Sequence, residues 1–478
     1  MFSLCKFLSW PISHRFRIAG IVSPCEMNDI LAVGADQMTP IADHQTLSSP
    51  HTSHPIVKSL REQGISFVRI QWVDLTNVVR CRVIPMSSFD KLLRSERPAI
   101  SISKAVLGLV GHHLAETFNG TGVWSYLLDL TSLKLCPYAR RHASVMGWFH
   151  EASPSPARDL GISICPRTLL SNVVASIQQT HSVDLLVGFE TEFVLMNPGS
   201  LGSVGYHAYS TTSALYTGCS EAVVLEEIVH ALQSSGIEVE MYHAECSQGQ
   251  YEVITGPLPP MQAADALVHT RETIYNIANK HGLRASLSPR PFQESAGSAS
   301  HLHFSVRSSE PALEETVSID GVQLRRCEAS FIASLLDHLP SLVFLTCPTI
   351  PSYGRMKDGI WSGGTYACWG VEHRETAIRV CHPTSPAARN FELKMVDGTS
   401  NPYLAVAALV AAGSEGIRNQ QALTQRPLQG ASSAIEMTAS QREAYGISKR
   451  LPLTLQEARQ MFQSNTLLRK ALGDGLLH

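Results

Sequence analysis

The sequence predicts an α+β fold, and three observations carry the prediction. Segments with helical apolar spacing are interleaved with short strand-like runs in an order of α+β character. The chain has 478 residues, 44% hydrophobic and 17% charged, enough to bury a large core and more than one ordinary domain uses. No internal repeat, coiled-coil heptad or long low-complexity tract interrupts that pattern.

Residues 39–55, rich in Ser, Thr, Pro and His, read as part of a flexible leader spanning 1–55. Residues 56–63 look helical, and 67–85 look like two strands around a turn that carries Asp74. Segment 86–150 is mixed, and Ser and Pro accumulate over 151–158, which sets a boundary near Gly161 between units 56–160 and 161–478. Pro166-Arg167-Thr168 opens a helix whose apolar positions are Leu169, Leu170, Val173, Val174 and Ile177. Further helices are predicted at 221–235, 260–281, 325–345 and 402–418, and strands at 189–196, 250–255, 301–307, 376–380 and 390–396.

A net charge of -3 with both signs dispersed carries no polyanion signature, and no Lys/Arg run is interleaved with aromatics, so nucleic acid is not an expected partner. The eleven cysteines are scattered and odd in number, unlike a secreted disulfide framework, and fit a reducing compartment. The apolar run 403–412 is about half a bilayer span and reads as a buried helix, so no membrane association is expected. Residues 1–25 hold Lys6, Arg15 and Arg17 and no acid, loosely like a mitochondrial presequence. The simpler reading is a start at Met27 and a cytoplasmic protein.

Four carboxylates among apolar neighbours carry the chemistry. In Phe189-Glu190-Thr191-Glu192-Phe193 the two glutamates share one strand face, and side by side they cannot both ionise when buried unless a cation or several donors offset them. A solvated edge strand is the alternative. The Gly-containing centre of Glu245-Cys246-Ser247-Gln248-Gly249-Gln250-Tyr251-Glu252 is a turn that brings Glu245 and Glu252 onto one cation. His301, His303 and Ser305 then share a strand face. Oxygen ligands with one or two imidazoles suit Mg2+ or Mn2+, and the absence of Cys-x-x-Cys and His-Glu-x-x-His argues against zinc. Arg355, Arg374 and Arg379 offer planar forks for carboxylate or phosphate, and Glu392 alternates with Lys394 on a further strand. No Walker or Gly-x-Gly-x-x-Gly loop is present.

The ordered set Glu-x-Glu, His-x-Glu-x6-Glu, Gly-Ser-x2-His-x-His, Arg355 and Asn401-Pro402-Tyr403, spread over about residues 56–420, resembles bacterial-type glutamine synthetase. The resemblance implies a β-grasp N-terminal domain and a larger catalytic domain. It also implies a homo-oligomer of two stacked hexamers, with each active site between neighbouring subunits. It implies that Glu192, Glu245 and Glu252 hold one metal and Glu190, His301 and Glu392 a second on the nucleotide side. His303 and Ser305 then match ATP contacts, Arg355 and Gly297 contacts to the acid substrate, Arg374 and Arg379 phosphate-facing groups, and Asp74 an aspartate lent to the neighbour's amine site. The implied reaction phosphorylates a side-chain carboxylate with ATP and lets an amine attack the acyl phosphate.

Departures from the pattern redirect the substrate. Trp361 stands where the family's flap carries a proton-accepting glutamate, Ala296 replaces an asparagine, Lys394 a carboxylate-binding arginine, and Asn390 a basic residue. An indole accepts no proton and makes a larger apolar face, which disfavours ammonia and favours an organic amine. These segments resemble the FluG-like branch of the superfamily, and the expectation is a single ligase module without the amidohydrolase domain of longer members. An ordinary glutamine synthetase and a non-catalytic scaffold oligomer are the rival readings; the latter draws on Asn390 and Lys394.

Overall fold

The computed structural model describes residues 53–152, 161–205 and 211–473. Residues 1–52 of the leader expected over 1–55, most of the Ser/Pro-rich boundary segment and Tyr206-His207-Ala208-Tyr209 lie outside the described residues.

Helix α1, Pro55–Glu62, starts where Pro55 fixes φ and His54 Nδ1 accepts a hydrogen bond from Ile56 N, and it buries Ile56, Val57 and Leu60. Strands β1 (Phe67–Val73) and β2 (Val79–Pro85) form the hairpin read from the sequence, in register from Phe67↔Pro85 to Val73↔Val79. Helix α2 (Met86–Leu93) and strands β3 (Ala99–Ser103), β4 (Val123–Leu135) and β5 (His142–Glu151) follow. The five strands lie in the order β2-β1-β5-β4-β3, with β1 and β5 parallel. The 86–150 segment looked mixed because the β4–β5 ladder is broken between Asp129 and Lys134, which interrupts the period-two pattern that marks a strand. Trp72, Trp124, Tyr126 and Phe149 form the aromatic centre of this unit, Tyr126 and Phe149 at 4.7 Å between centroids.

Helix α3, Pro166–His181, leads into β6 (Val183–Met196). Then come α4 (Ser220–Ser234), β7 (Val239–Ala244), β8 (Gln250–Leu258), α5 (Pro260–Lys280), β9 (Arg284–Ser286) and β10 (Leu302–Ser308). After these lie α6 (Arg326–Thr346), β11 (Trp369–Val371), β12 (Ile378–Cys381), β13 (Asn390–Leu393) and α7 (Pro402–Arg418). The large sheet runs β11-β12-β13-β10-β6-β8-β7, with β9 paired to the end of β6.

One buried core cluster joins residues of the sheet with those of α6 and α7, and α6 and α7 pack on each other. Helix α6 is long and apolar enough to cross a bilayer, but 72% of its apolar window is buried inside the fold, as expected of a core helix. The two helices approach closely because Gly416 has no side chain: a Cβ there would lie 1.9 Å from Ser330 O. Asn401 caps α7 by accepting from Tyr403 N and Leu404 N, and its Nδ2 donates to Asp74 O at 2.9 Å, tying the β1–β2 turn to the large unit. A second tie is buried Arg167, which pairs with Asp265 at 2.7 Å and with Asp129 at 2.8 Å; Tyr403 Oη donates to the same Asp265.

Candidate active site

Two register rows on the large sheet gather the charged residues. Across β12, β13 and β10, Arg379 faces Glu392 and Glu392 faces His303. Across β6, β8 and β7, Glu192 faces Glu252 and Glu252 faces His243. Glu190 precedes Glu192 by two and therefore shares its face, between the rows. His301, just ahead of β10, joins them: its Nδ1 lies 2.9 Å from Glu190, 3.3 Å from Glu392 and 3.9 Å from Glu192. The buried pair Glu190 and Glu192 is thus an interior feature of the sheet, not a solvated edge.

The turn read between Glu245 and Glu252 is a β7–β8 hairpin, closed by Glu245 N donating to Gln250 O at 2.8 Å. It leaves His243 3.7 Å from Glu245 and 3.6 Å from Glu252. His243 was part of the motif but had no assigned role; its alternation with Glu245 was the available signal. Gln250 was also missed. It lies two residues before Glu252 on the same face, and its Nε2 donates to Glu192 Oε2, Gly297 O and Ser298 Oγ at 2.9, 3.0 and 3.1 Å.

The two groups differ in how their charge is met. Burial and the neighbouring Glu245 push Glu192 up to about 8. Burial, with Glu190 and Glu245, pushes Glu252 well above the usual carboxylate range, and burial raises Glu245 as well. In the other group burial also opposes ionisation, but His303 and His301 hold Glu190 well below its ordinary value. Arg379 and Lys394 do the same for Glu392, Lys394 Nζ at 3.0 Å and Arg379 in a direct ion pair. Burial and Lys394 lower His301 to about 4, whereas Glu190 outweighs burial and raises His303.

This donor chemistry fits divalent cations. Glu192, Glu245 and Glu252 crowd three carboxylates together, and among the described residues their ion-pair partners are only the imidazoles of His243 and His301. One ligand atom each from His243, Glu245 and Glu252 lies within 4.8 Å of the others, and the same holds for Glu190, His303 and Glu392. His303, expected as a nucleotide contact, stands inside the second group, its Nε2 3.0 Å from Glu190 and its Nδ1 2.8 Å from Asn390. Ser305 is buried two residues further along the same face.

Around this floor, Arg355 is 3% exposed and donates from Nη2 to Lys394 O at 3.1 Å, while its Nε has no partner. Gly297 makes its place: a Cβ there would lie 2.4 Å from Arg355 Cγ. Arg374 is exposed and takes part in neither row. Asp74, expected to reach a neighbour's amine site, is engaged within its own turn in this subunit. Its side chain has no exposed surface, Oδ1 accepts from Thr76 N, Thr76 Oγ1 and Val78 N at 2.9 Å each, and Oδ2 pairs with Arg80 at 2.7 Å.

The loop 357–365 forms a flap. Asp358 accepts from Thr365 N and Oγ1 at 2.8 and 2.7 Å, and buried Glu375 accepts from Gly359 N at 2.9 Å and from Trp361 N. Trp361, at φ +60°, presents an indole that is 71% exposed.

Residues 163–478 match the family described as glutamine synthetase, catalytic domain. Protein fluG of Emericella nidulans is 33% identical over 445 residues; these cover 91% of this chain but 48% of that protein, so the chain spans about half its length. Gamma-glutamylpolyamine synthetase GlnA3 of Streptomyces coelicolor is 31% identical, covering 87% of this chain and 88% of that one. Among solved structures, a novel glutamine synthase homolog is 28% identical with a TM-score of 0.70, covering 86% of this chain and 92% of that one. A GmaS/ADP complex, 23% identical, shares the fold with a TM-score of 0.71 over 88% and 92% of the two chains.

Proposed function

We propose that this chain, which belongs to the glutamine synthetase family and is a carboxylate–amine ligase, joins the γ-carboxyl of glutamate or a relative to an organic amine in place of ammonia. The observation that carries the reading is the flap: Asp358 and Glu375 spend their oxygens on backbone N–H groups or on Thr365, and the side chain the loop leaves exposed is Trp361, to which this reading assigns the amine-facing position. No free flap carboxylate is left to take a proton from ammonium, and an exposed indole suits the apolar body of a larger amine. GlnA3, whose name specifies a γ-glutamylpolyamine product, supports the same reaction class.

Family members use ATP and divalent metal ions, and the proposal assigns this chain's residues accordingly. Glu192, Glu245 and Glu252, with His243, hold one cation; Glu190, His301 and Glu392 hold a second, and Mg2+ or Mn2+ suits the oxygen-rich set. Such ions neutralise crowded carboxylate and phosphate oxygens when bound. Ser305 and His303 line the nucleotide side. Arg355, whose Nε is free, takes a carboxylate oxygen of the acid substrate, with Gly297 leaving it room and Lys394 contributing a point charge rather than a fork. Arg379 and Arg374 face the phosphates. The γ-carboxylate oxygen attacks the terminal phosphorus of ATP and ADP leaves; the unprotonated amine nitrogen then attacks the acyl carbon, and phosphate departs with the proton that the nitrogen loses.

In this reading residues 56–160 form a β-grasp unit and 161–478 the catalytic unit. Neighbouring subunits complete each site in two stacked hexamers, and the enzyme works in the cytoplasm. The test is phosphate release from ATP and Mg2+ with L-glutamate across ammonia, primary amines and polyamines. Release that organic amines support and ammonia does not is the expected result. Ammonia-driven release at equal or higher rate would establish an ordinary glutamine synthetase instead.

A further inference from the structure

Gln250 stands at the junction of two parts of the site that lie on different segments. It is the first residue of β8, two before Glu252, and is 1% exposed. Its Oε1 accepts from Ser247 N at 2.9 Å, which fixes the orientation of the amide: turned over, it would set an oxygen against a carboxylate and a carbonyl. Nε2 therefore donates, and its acceptors lie on both sides. One is Glu192 Oε2 at 2.9 Å, on the neighbouring strand; the others are Gly297 O at 3.0 Å and Ser298 Oγ at 3.1 Å, in the segment ahead of β10. Ser247 Oγ donates to Ala296 O at 3.3 Å, a further bond between the β7–β8 turn and the 296–298 segment.

These bonds fall on particular atoms. Glu192 Oε2 also accepts from Ala299 N at 3.0 Å, so this oxygen is spent on two neutral donors, while Oε1 is the oxygen 3.9 Å from His301 Nδ1. Neutral donors fix the direction of a carboxylate without cancelling the charge that draws a cation to it. The other end of the amide reaches the seat of Arg355: a Cβ on Gly297 would lie 2.4 Å from Arg355 Cγ, so a shift of this segment displaces the guanidinium. We infer that Gln250 is a positioning residue with two ends. It aims Glu192 Oε1 at the cation, and through Gly297 and Ser298 it holds the segment on which Arg355 rests, so that the cation and the acid substrate are set relative to one another. The inference rests on reading Glu192 as a cation ligand and Arg355 as the acid contact, and it adds a residue that acts through both.

The test is Mn2+ binding to the intact protein without nucleotide, read from the electron paramagnetic resonance signal of the free ion, together with the KM values for L-glutamate and for ATP. Gln250→Met keeps the length of the side chain and removes its donors. It should weaken Mn2+ binding by about tenfold or more and raise the KM for L-glutamate several-fold, while the KM for ATP changes by less than about twofold. A general loosening of the fold would move all three together. Glu192→Ala is the control. Absent Mn2+ binding in the wild type, or binding that Glu192→Ala leaves intact, overturns the reading beneath the inference and the inference with it. Binding that Glu192→Ala weakens but Gln250→Met leaves unchanged overturns the inference alone, as does a KM for ATP that rises in step with that for L-glutamate. Should Gln250→Met fail to fold, Gln250→Asn, whose amide is one methylene short of Glu192, decides by the same measures.

Discussion

The floor and the flap of the candidate site treat their carboxylates in opposite ways. On the floor, Glu192, Glu245 and Glu252 are crowded together with imidazoles as their only ion-pair partners among the described residues, and burial with repulsion from neighbouring carboxylates raises all three. On the flap, Asp358 and Glu375 accept from backbone N–H groups and Thr365, and those bonds hold the loop's shape. Carboxylates crowded together with little positive charge to meet them are held ready for a cation even where a donor or two reaches them, as Gln250 and Ala299 N reach Glu192, whereas carboxylates with both oxygens spent on one loop are structural. The chemistry of charge therefore belongs to the floor, and the flap contributes a surface, Trp361.

The largest expected effect tests the floor. Glu192→Ala should cut turnover by about a thousandfold or more and diminish the rise in melting temperature that Mg2+ or Mn2+ gives. Normal turnover in this variant, measured by phosphate release, would return the chain to the scaffold reading. Next is the flap: Trp361→Glu supplies the missing free carboxylate and should raise the preference for ammonia over an organic amine by about tenfold, read as the ratio of kcat/KM values. An unchanged ratio would mean that Trp361 does not face the amine.

Glu375→Gln should act more gently. An amide keeps one oxygen for the two N–H groups of Gly359 and Trp361, so the flap loosens and the KM for the amine rises about threefold, with metal binding unaltered. A loss of metal response in this variant would erase the contrast between floor and flap.

The smallest effect is on stability. Because Glu192, Glu245 and Glu252 are raised in the fold, the stability they contribute is present below the ordinary glutamate value and is lost as pH rises through about 8, where Glu192 ionises. The metal-free protein should therefore lose about 2 °C or more between pH 5 and pH 8, and a divalent cation should restore more at pH 8 than at pH 5. A metal-induced shift independent of pH would contradict the assignment of these three carboxylates.

Much of the floor was legible in the sequence because strand alternation fixes which residues share a face. Glu190 and Glu192, His303 and Ser305, and Glu392 and Lys394 each fell on one side for that reason. Helices α3 to α7 were legible from apolar periodicity, with ends set by Pro166, Pro260 and Pro402. Cross-strand register was not legible: that Glu192 lies opposite Glu252 depends on a pairing between segments far apart in the chain, and even for the nearer pairs Glu252–His243 and Arg379–Glu392 the exact partner depends on turn geometry that alternation does not fix. Asp74 shows the same limit. Its place near a turn could be read, but not that Arg80, Thr76 and Val78 would occupy its carboxylate. Glu375 was invisible because its role lies wholly in backbone contacts.

The most direct measurement of the central claim is a competition. Protein, ATP, Mg2+ and L-glutamate are supplied with equal concentrations of ammonia and a primary amine or polyamine, and the amide products are quantified by mass spectrometry. The γ-glutamyl amide of the organic amine should dominate. Glutamine as the main product would contradict the reading of Trp361 and leave an ordinary glutamine synthetase.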